Sequence, residues 1–304
     1  MTERLSDIEA RIATVHQLEA VISAMRGIAA ARMREARERL DGIRAYAQAV
    51  AAAIGGALAF LPDQFGAGFQ RDGKRVTEDA PTVILALCAE QGFAGSFSAR
   101  VLDRVQEVNA RAGNGAPEAR QAYEILLVGD RGLMTAQERN LAIGWSAAMV
   151  AHVDEVPALA NRIADVLYAR IGAGAGRVLM VHAVPDHLQG EDEEQSIVVH
   201  QLVPFDYARF PVASRAVVPV ITLPPQILLE QLTQEFVFAE ICEALILSFS
   251  AENEARMRAM VAARSNVAHR LDDLVADHRR LRQDEITNEL VELAGATAAG
   301  SPSS

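Results

Sequence analysis

The stretch QILLEQLTQEFVFAEICEALILSFSAENEARMRAMVAARSNVAHRLDDLVADHRRLRQDEITNELVELA, Gln226 to Ala294, contains neither proline nor glycine. Those two residues interrupt helices most strongly, so the stretch reads as one continuous helix, on the order of 100 Å long at roughly 1.5 Å rise per residue. A helix of that length does not fit inside one globular domain. Proline is missing from the other end too: none occurs before Pro62, and none between Pro225 and Pro302. Two long terminal helices therefore flank a middle segment. Pro224-Pro225 marks the start of the second, because proline is tolerated in a first helical turn.

Within the first stretch, apolar residues fall at Leu5, Ile8, Ile12, Val15, Leu18, Ile22 and Met25, and resume at Leu40, Ile43, Ala47, Val50, Ile54 and Leu58. Gaps of three and four mark a helical stripe. Gly27 predicts close approach of a neighbouring element, and Gly55-Gly56 predicts fraying, since each glycine costs about 1 kcal/mol against alanine in an exposed helix. In the last helix Val267, Leu271, Leu274, His278 and Leu281 form a stripe that slips in phase to Ile286, Leu290 and Leu293. A slip of this kind is expected where a helix leaves one partner and meets another.

The middle changes period. Thr82 to Cys88 is a continuous apolar run of strand length, followed by a glycine-containing turn and a helical pattern to about Arg111. A second run, Tyr123 to Val128, meets Gly129-Asp130-Arg131-Gly132, read as a turn. A helix over 156–171 precedes a strand over 177–184, and an edge strand spans 196–203. Repeated βα order predicts a parallel sheet with helices on its faces. The fold class is therefore α/β: paired long terminal helices plus a central Rossmann-like βα domain. The expected boundaries are a helix over 1–61, a linker loop over 62–80, the βα domain over 81–210, an extended linker over 211–223, a helix over 224–296 and a disordered tail over 297–304.

Composition excludes several functions. The net charge of −11 with only 29 basic residues argues against a nucleic-acid binder, which needs a basic face. Cys88 and Cys242 are too few for a disulfide framework or a zinc site, so buried packing thiols and a reducing compartment are the default. No run of about 18 apolar residues predicts a membrane span, and no signal peptide is expected.

Gly92-Phe93-Ala94-Gly95-Ser96 follows a strand and opens a helix, where a phosphate would meet backbone N–H groups. Its spacing is not that of the dinucleotide fingerprint, so a tight turn is the reading and no cofactor is expected. Gly172 to Gly176 reads as a helix exit. His182, His187 and the acids Glu191 to Glu194 have no spacing that fixes metal ligands on a shared face, and no catalytic constellation is present. The densest unusual sequence is Leu281 to Leu293. Arg282, Gln283, Thr287 and Glu289 place hydrogen-bonding heads on nearby turns, with Arg282 and Glu289 two turns apart on one face. The same pattern fits a solvated helix face.

At these residues the chain resembles the γ subunit of rotary F-type ATP synthases. The resemblance runs from Ser250 to Met260, through Arg282-Gln283 and Ile286 to Leu290, and at the other end over Arg11 to Val15, Ala24-Met25 and Ala29 to Arg34. It implies an antiparallel coiled coil of the terminal helices that enters a ring of three α and three β subunits, with the βα domain as a foot on the membrane c-ring, joined by ε. It implies a peripheral, non-catalytic rotor shaft on the cytoplasmic face of a bacterial membrane. Family contact positions fall on Met25, Arg32, Arg282, Gln283, Thr287 and Glu289. Ala20-Val21-Ile22-Ser23 replaces a segment that commonly carries lysines, and Leu223-Pro224-Pro225 replaces the usual approach to the last helix; these departures point to a divergent branch, of the kind an alternative operon carries. On the residues alone, a nucleotide-binding α/β enzyme centred on residues 82–205 and a passive coiled-coil scaffold stay open.

Overall fold

The computed structural model describes residues 2–61, 80–112, 123–188, 197–212 and 221–299. Most of the expected 62–80 loop and of the 211–223 linker, the acids Glu191 to Glu194 and the end of the tail lie outside the described residues. The elements run in the order α1 (Thr2–Leu58), β1 (Thr82–Leu87), α2 (Phe97–Ala112), β2 (Tyr123–Val128), α3 (Asp130–Glu138), β3 (Ile143–Ala147), α4 (Val156–Gly172), β4 (Arg177–Ala183), β5 (Ile197–Val203) and α5 (Pro225–Ala299). They divide into two compact units, Met1–Ala29 with Met257–Ser304, and Ala30–Arg256.

The larger unit is built on a five-stranded sheet of order β3-β2-β1-β4-β5. β1 pairs parallel with β2 and β4, β2 pairs parallel with β3, and β5 closes one edge antiparallel to β4. Parallel strands carry apolar residues on both faces because helices cover both. Val83, Leu85 and Leu87 of β1 meet α4, the Val237 to Phe249 part of α5, and Ala36 and Leu40 of α1. Ile84, Ala86 and Cys88 meet α2 and Ala136 of α3. The α4 exit follows the expectation at Gly172 to Gly176: Gly174 takes a positive φ of 110°, and Ala175 N donates to Arg170 O at 3.0 Å.

Two elements differ from the sequence expectation. Gly129 to Gly132 is the entry to helix α3 rather than a free turn. Gly129 has φ 108°, and a Cβ there would lie 2.5 Å from the Cys88 carbonyl oxygen; a Cβ on Gly132 would lie 2.1 Å from Cys88 Cβ. Glycine is what lets α3 pack onto the end of β1. The short edge strand β3 was not anticipated, because Ile143-Gly144-Trp145-Ser146-Ala147 is half exposed and carries glycine. Gly144 makes room for the Glu124 side chain, which Arg170 Nε and Nη2 hold at 2.8–3.0 Å.

The glycines of α1 reverse their expected roles. Nothing lies within 4 Å of a Cβ on Gly27, an exposed position, so no neighbour approaches there. Gly55 does not fray: it is buried inside α1, where a Cβ would lie 2.4 Å from the Pro211 carbonyl oxygen. Packing of Val50, Ile54 and Ala57 against Tyr207, Phe210 and Leu229 draws that backbone in.

In the smaller unit, Leu5, Ile8, Ile12, Val15 and Ile22 of α1 turn inward, as do Met260, Val267, Leu271, Leu274 and Leu281 of α5. Alternating gaps of three and four on both helices make a coiled-coil seam. Glu9 Oε1 lies 3.2 Å from His278 Nε2, and Glu19 Oε1 lies 3.8 Å from Arg264 Nε. As the number rises on one helix it falls on the other, so the pairing is antiparallel. The same register puts Thr2 level with about residue 285, and beyond it Ile286, Leu290 and Val291 are exposed. The phase slip in the sequence therefore marks where α5 outruns α1.

Candidate functional site

The doubly wound sheet creates one place where ligands ordinarily bind: the crevice outside the carboxyl ends of the strands, where the order reverses between β1 and β4. Here α5 lies across it. Ser248 Oγ donates to Leu87 O at the end of β1 (3.2 Å), and Glu254 Oε2 accepts the Asp186 N–H just beyond β4 (3.0 Å). Between them Glu252 is only 3% exposed and Arg256 only 4%. The Glu90 N–H, just after β1, donates to Glu252 Oε2 (3.3 Å). Arg256 Nε and Nη2 donate to the carbonyls of Gly92 (3.3 Å) and Gln91 (3.5 Å).

Electrostatics follow from that burial. Desolvation raises the Glu252 pKa, and Arg256 beside it offsets part of the rise. Burial likewise pushes the Cys88 and Cys242 thiols up to about 12, which makes both thiols inert packing groups. His182 sits in the sheet interior with Nδ1 3.2 Å from Ala183 O, and burial pulls its pKa down to about 4. The side chain of His187 is outside the described residues. Among the described residues no group of three or more metal-ligating side chains gathers.

Of the six residues singled out in the sequence, the five in the smaller unit do not gather at one place. Arg282, Gln283, Thr287 and Glu289 are exposed on α5, and the Thr287 hydroxyl donates to Gln283 O one turn back (2.8 Å). Met25 is half buried beside the seam of the same unit, flanked by exposed Leu18, Val21 and Ile28. The seam register puts Arg282 level with about residue 5, some 30 Å along the pair from Met25 at 1.5 Å per residue. Two separate belts result. Arg32 belongs to the larger unit and is half buried.

Glu252, Asn253, Arg256 and Glu90 carry no functional expectation in the sequence. Their signal in the sequence is a pair of opposite charges one turn apart, immediately after the longest apolar run of α5. That pattern resembles a solvated ion pair until the fold buries it. No described helix is long and apolar enough to cross a membrane.

The family model described as ATP synthase matches residues 4–299 of the chain. The ATP synthase gamma chain of Ruegeria pomeroyi is 28% identical, the match covering 97% of this chain and 99% of that one. The ATP synthase gamma chain of Fuscovulum blasticum is 27% identical with the same coverage. Among solved structures, a chain of the Euglena gracilis mitochondrial ATP synthase OSCP/F1/c-ring assembly superposes with a TM-score of 0.63 at 12% identity, covering 98% of this chain and 95% of that one. A chain of the Tetrahymena thermophila central stalk and c-ring gives 0.52 at 16% identity, covering 80% and 99%.

Proposed function

The chain belongs to the ATP synthase family, with γ chains as its relatives over nearly their whole length, and from that premise we propose that it is the central-stalk rotor shaft of an F-type ATP synthase. Its substrate is mechanical: rotation carries conformational change between nucleotide sites on an α3β3 head that the shaft does not share. In this reading it is a peripheral, non-catalytic subunit on the cytoplasmic face of a bacterial membrane, joined by ε and seated on the c-ring.

The observation that carries the reading is the coiled coil with two unlike outer belts. One seam holds α1 and α5 together, while Leu18, Val21 and Ile28 near Met25, and Ile286, Leu290 and Val291 near Arg282, remain exposed. A symmetric rod would bias no site. Moving one site from 1:99 to 99:1 between two states needs about 5.5 kcal/mol of differential interaction, so the faces must differ. Met25, Arg32, Arg282, Gln283, Thr287 and Glu289 are the proposed contacts with the head.

Co-expression with α and β is the test. A stable complex whose ATP hydrolysis depends on this chain is expected; failure to co-purify in every nucleotide condition overturns the reading. The competing nucleotide-binding reading loses its natural site, because Glu252 and Arg256 occupy the switch-point crevice.

A further inference from the structure

Glu252 and Arg256 are more than a filled crevice. Arg256 Nη2 donates to Glu252 Oε1 at 2.5 Å, and Arg256 Nη1 to Asn253 Oδ1 at 2.9 Å, while Asn253 Nδ2 donates back to Phe249 O at 2.8 Å. The same guanidinium holds the Gln91 and Gly92 carbonyls, and Glu252 holds the Glu90 N–H. Glu90 passes the connection on. Its Oε2 accepts from Asp130 N at the start of α3 (3.1 Å) and from Met149 N just after β3 (2.7 Å). Two carboxylates and one guanidinium thus tie α5 to the loops that follow β1, β2 and β3.

Stability alone does not explain such a device. Replacing a buried ion pair by apolar residues of similar size is often neutral or stabilising. What directional hydrogen bonds add is a fixed position. The bulky residues of α5 that pack on the sheet face end at Phe249; past it, at the strand ends, the apolar partners are Ala251 and Ala255, small side chains that resist sliding or turning only weakly. We propose that Glu252 and Arg256 are positioning residues, a latch that fixes α5 in rotation and along its axis to the carboxyl edge of the sheet, so that torque passes between them.

The inference rests on the rotor reading, and the experiment separates the two. The full enzyme, reconstituted in vesicles, is assayed for ATP hydrolysis and for ion pumping per ATP in H+ and Na+ media. If the wild-type complex hydrolyses ATP and pumps neither ion, the rotor reading fails and the latch with it. Given a wild type that pumps, the variant Glu252→Met/Arg256→Leu keeps the packing and removes the latch. It is expected to melt no lower than wild type and to hydrolyse ATP, with loss of pumping per ATP. Unchanged pumping per ATP overturns the latch. Arg256→Lys decides the matter should the double variant fail to assemble: it keeps the charge, but a single ammonium does not serve Glu252, Asn253 and two carbonyls at once. Reduced pumping per ATP in that variant supports the latch, and an unchanged ratio overturns it.

Discussion

His182 shows how one residue sets a pH response. It is neutral in the folded chain because burial makes the imidazolium costly, an effect larger than the opposing pull of the Ala183 carbonyl and Glu243. Above the ordinary histidine pKa near 6.5 both folded and unfolded chains hold it neutral. As pH falls from 6.5 toward 4 only the unfolded chain takes up the proton, so stability present at neutral pH is lost across that window. The loss is about 2 kcal/mol by pH 5 and approaches about 3 kcal/mol only below pH 4. Urea unfolding of the wild type at pH 7 and pH 5 is expected to show the drop, and His182→Asn, which keeps a donor near Ala183 O, is expected to flatten it. An equal drop in the variant rules His182 out as the source. In the sequence His182 has no ligand spacing, and nothing local to it reveals the burial.

At the scale of elements, α1 offers a contrast within one helix. Gly27 has open space where a Cβ would go, so Gly27→Ala is expected to stabilise the chain by up to about 1 kcal/mol through helix propensity alone. Gly55→Ala drives a methyl into the Pro211 carbonyl and is expected to destabilise by about 1–3 kcal/mol. Thermal melts that move in the same direction for both would refute the assignment. The sequence predicted the opposite pair of roles, because a glycine's neighbour belongs to another part of the chain: Pro211 is far from Gly55 in sequence. The seam carries a second test. His278 occupies a stripe position between Leu274 and Leu281, facing Glu9. A polar group there costs stability and helps fix register, so His278→Leu is expected to slow amide exchange in residues 4–29 and 257–285. Faster exchange would show that the Glu9 contact outweighs the apolar gain. The stripes on both helices were legible in advance, since a period of three and four is written in the chain itself. β3 and α3 were not, because glycines that look like breakers are there for close approach to Glu124 and Cys88.

For the molecule as a whole, the prediction concerns coupling. Arg282 and Gln283 are exposed and contribute nothing visible to packing, so Arg282→Ala/Gln283→Ala is expected to leave the isolated chain's melting temperature unchanged. In a complex with α and β, turnover is expected to fall about tenfold or more, a loss of about 1.4 kcal/mol or more of differential contact. A passive scaffold predicts no change in turnover. The terminal helices, the strands β1, β2, β4 and β5 and the α/β class follow from the amino-acid sequence by itself, because breakers, capping prolines and apolar period act between residues a few positions apart. The fate of the switch-point crevice was decided only by the tertiary structure. Glu252 reaches the backbone of Glu90 across 162 positions of chain. Charges one turn apart on a helix read the same whether water or a sheet edge faces them, and only the course of α5 across the strand ends determined which.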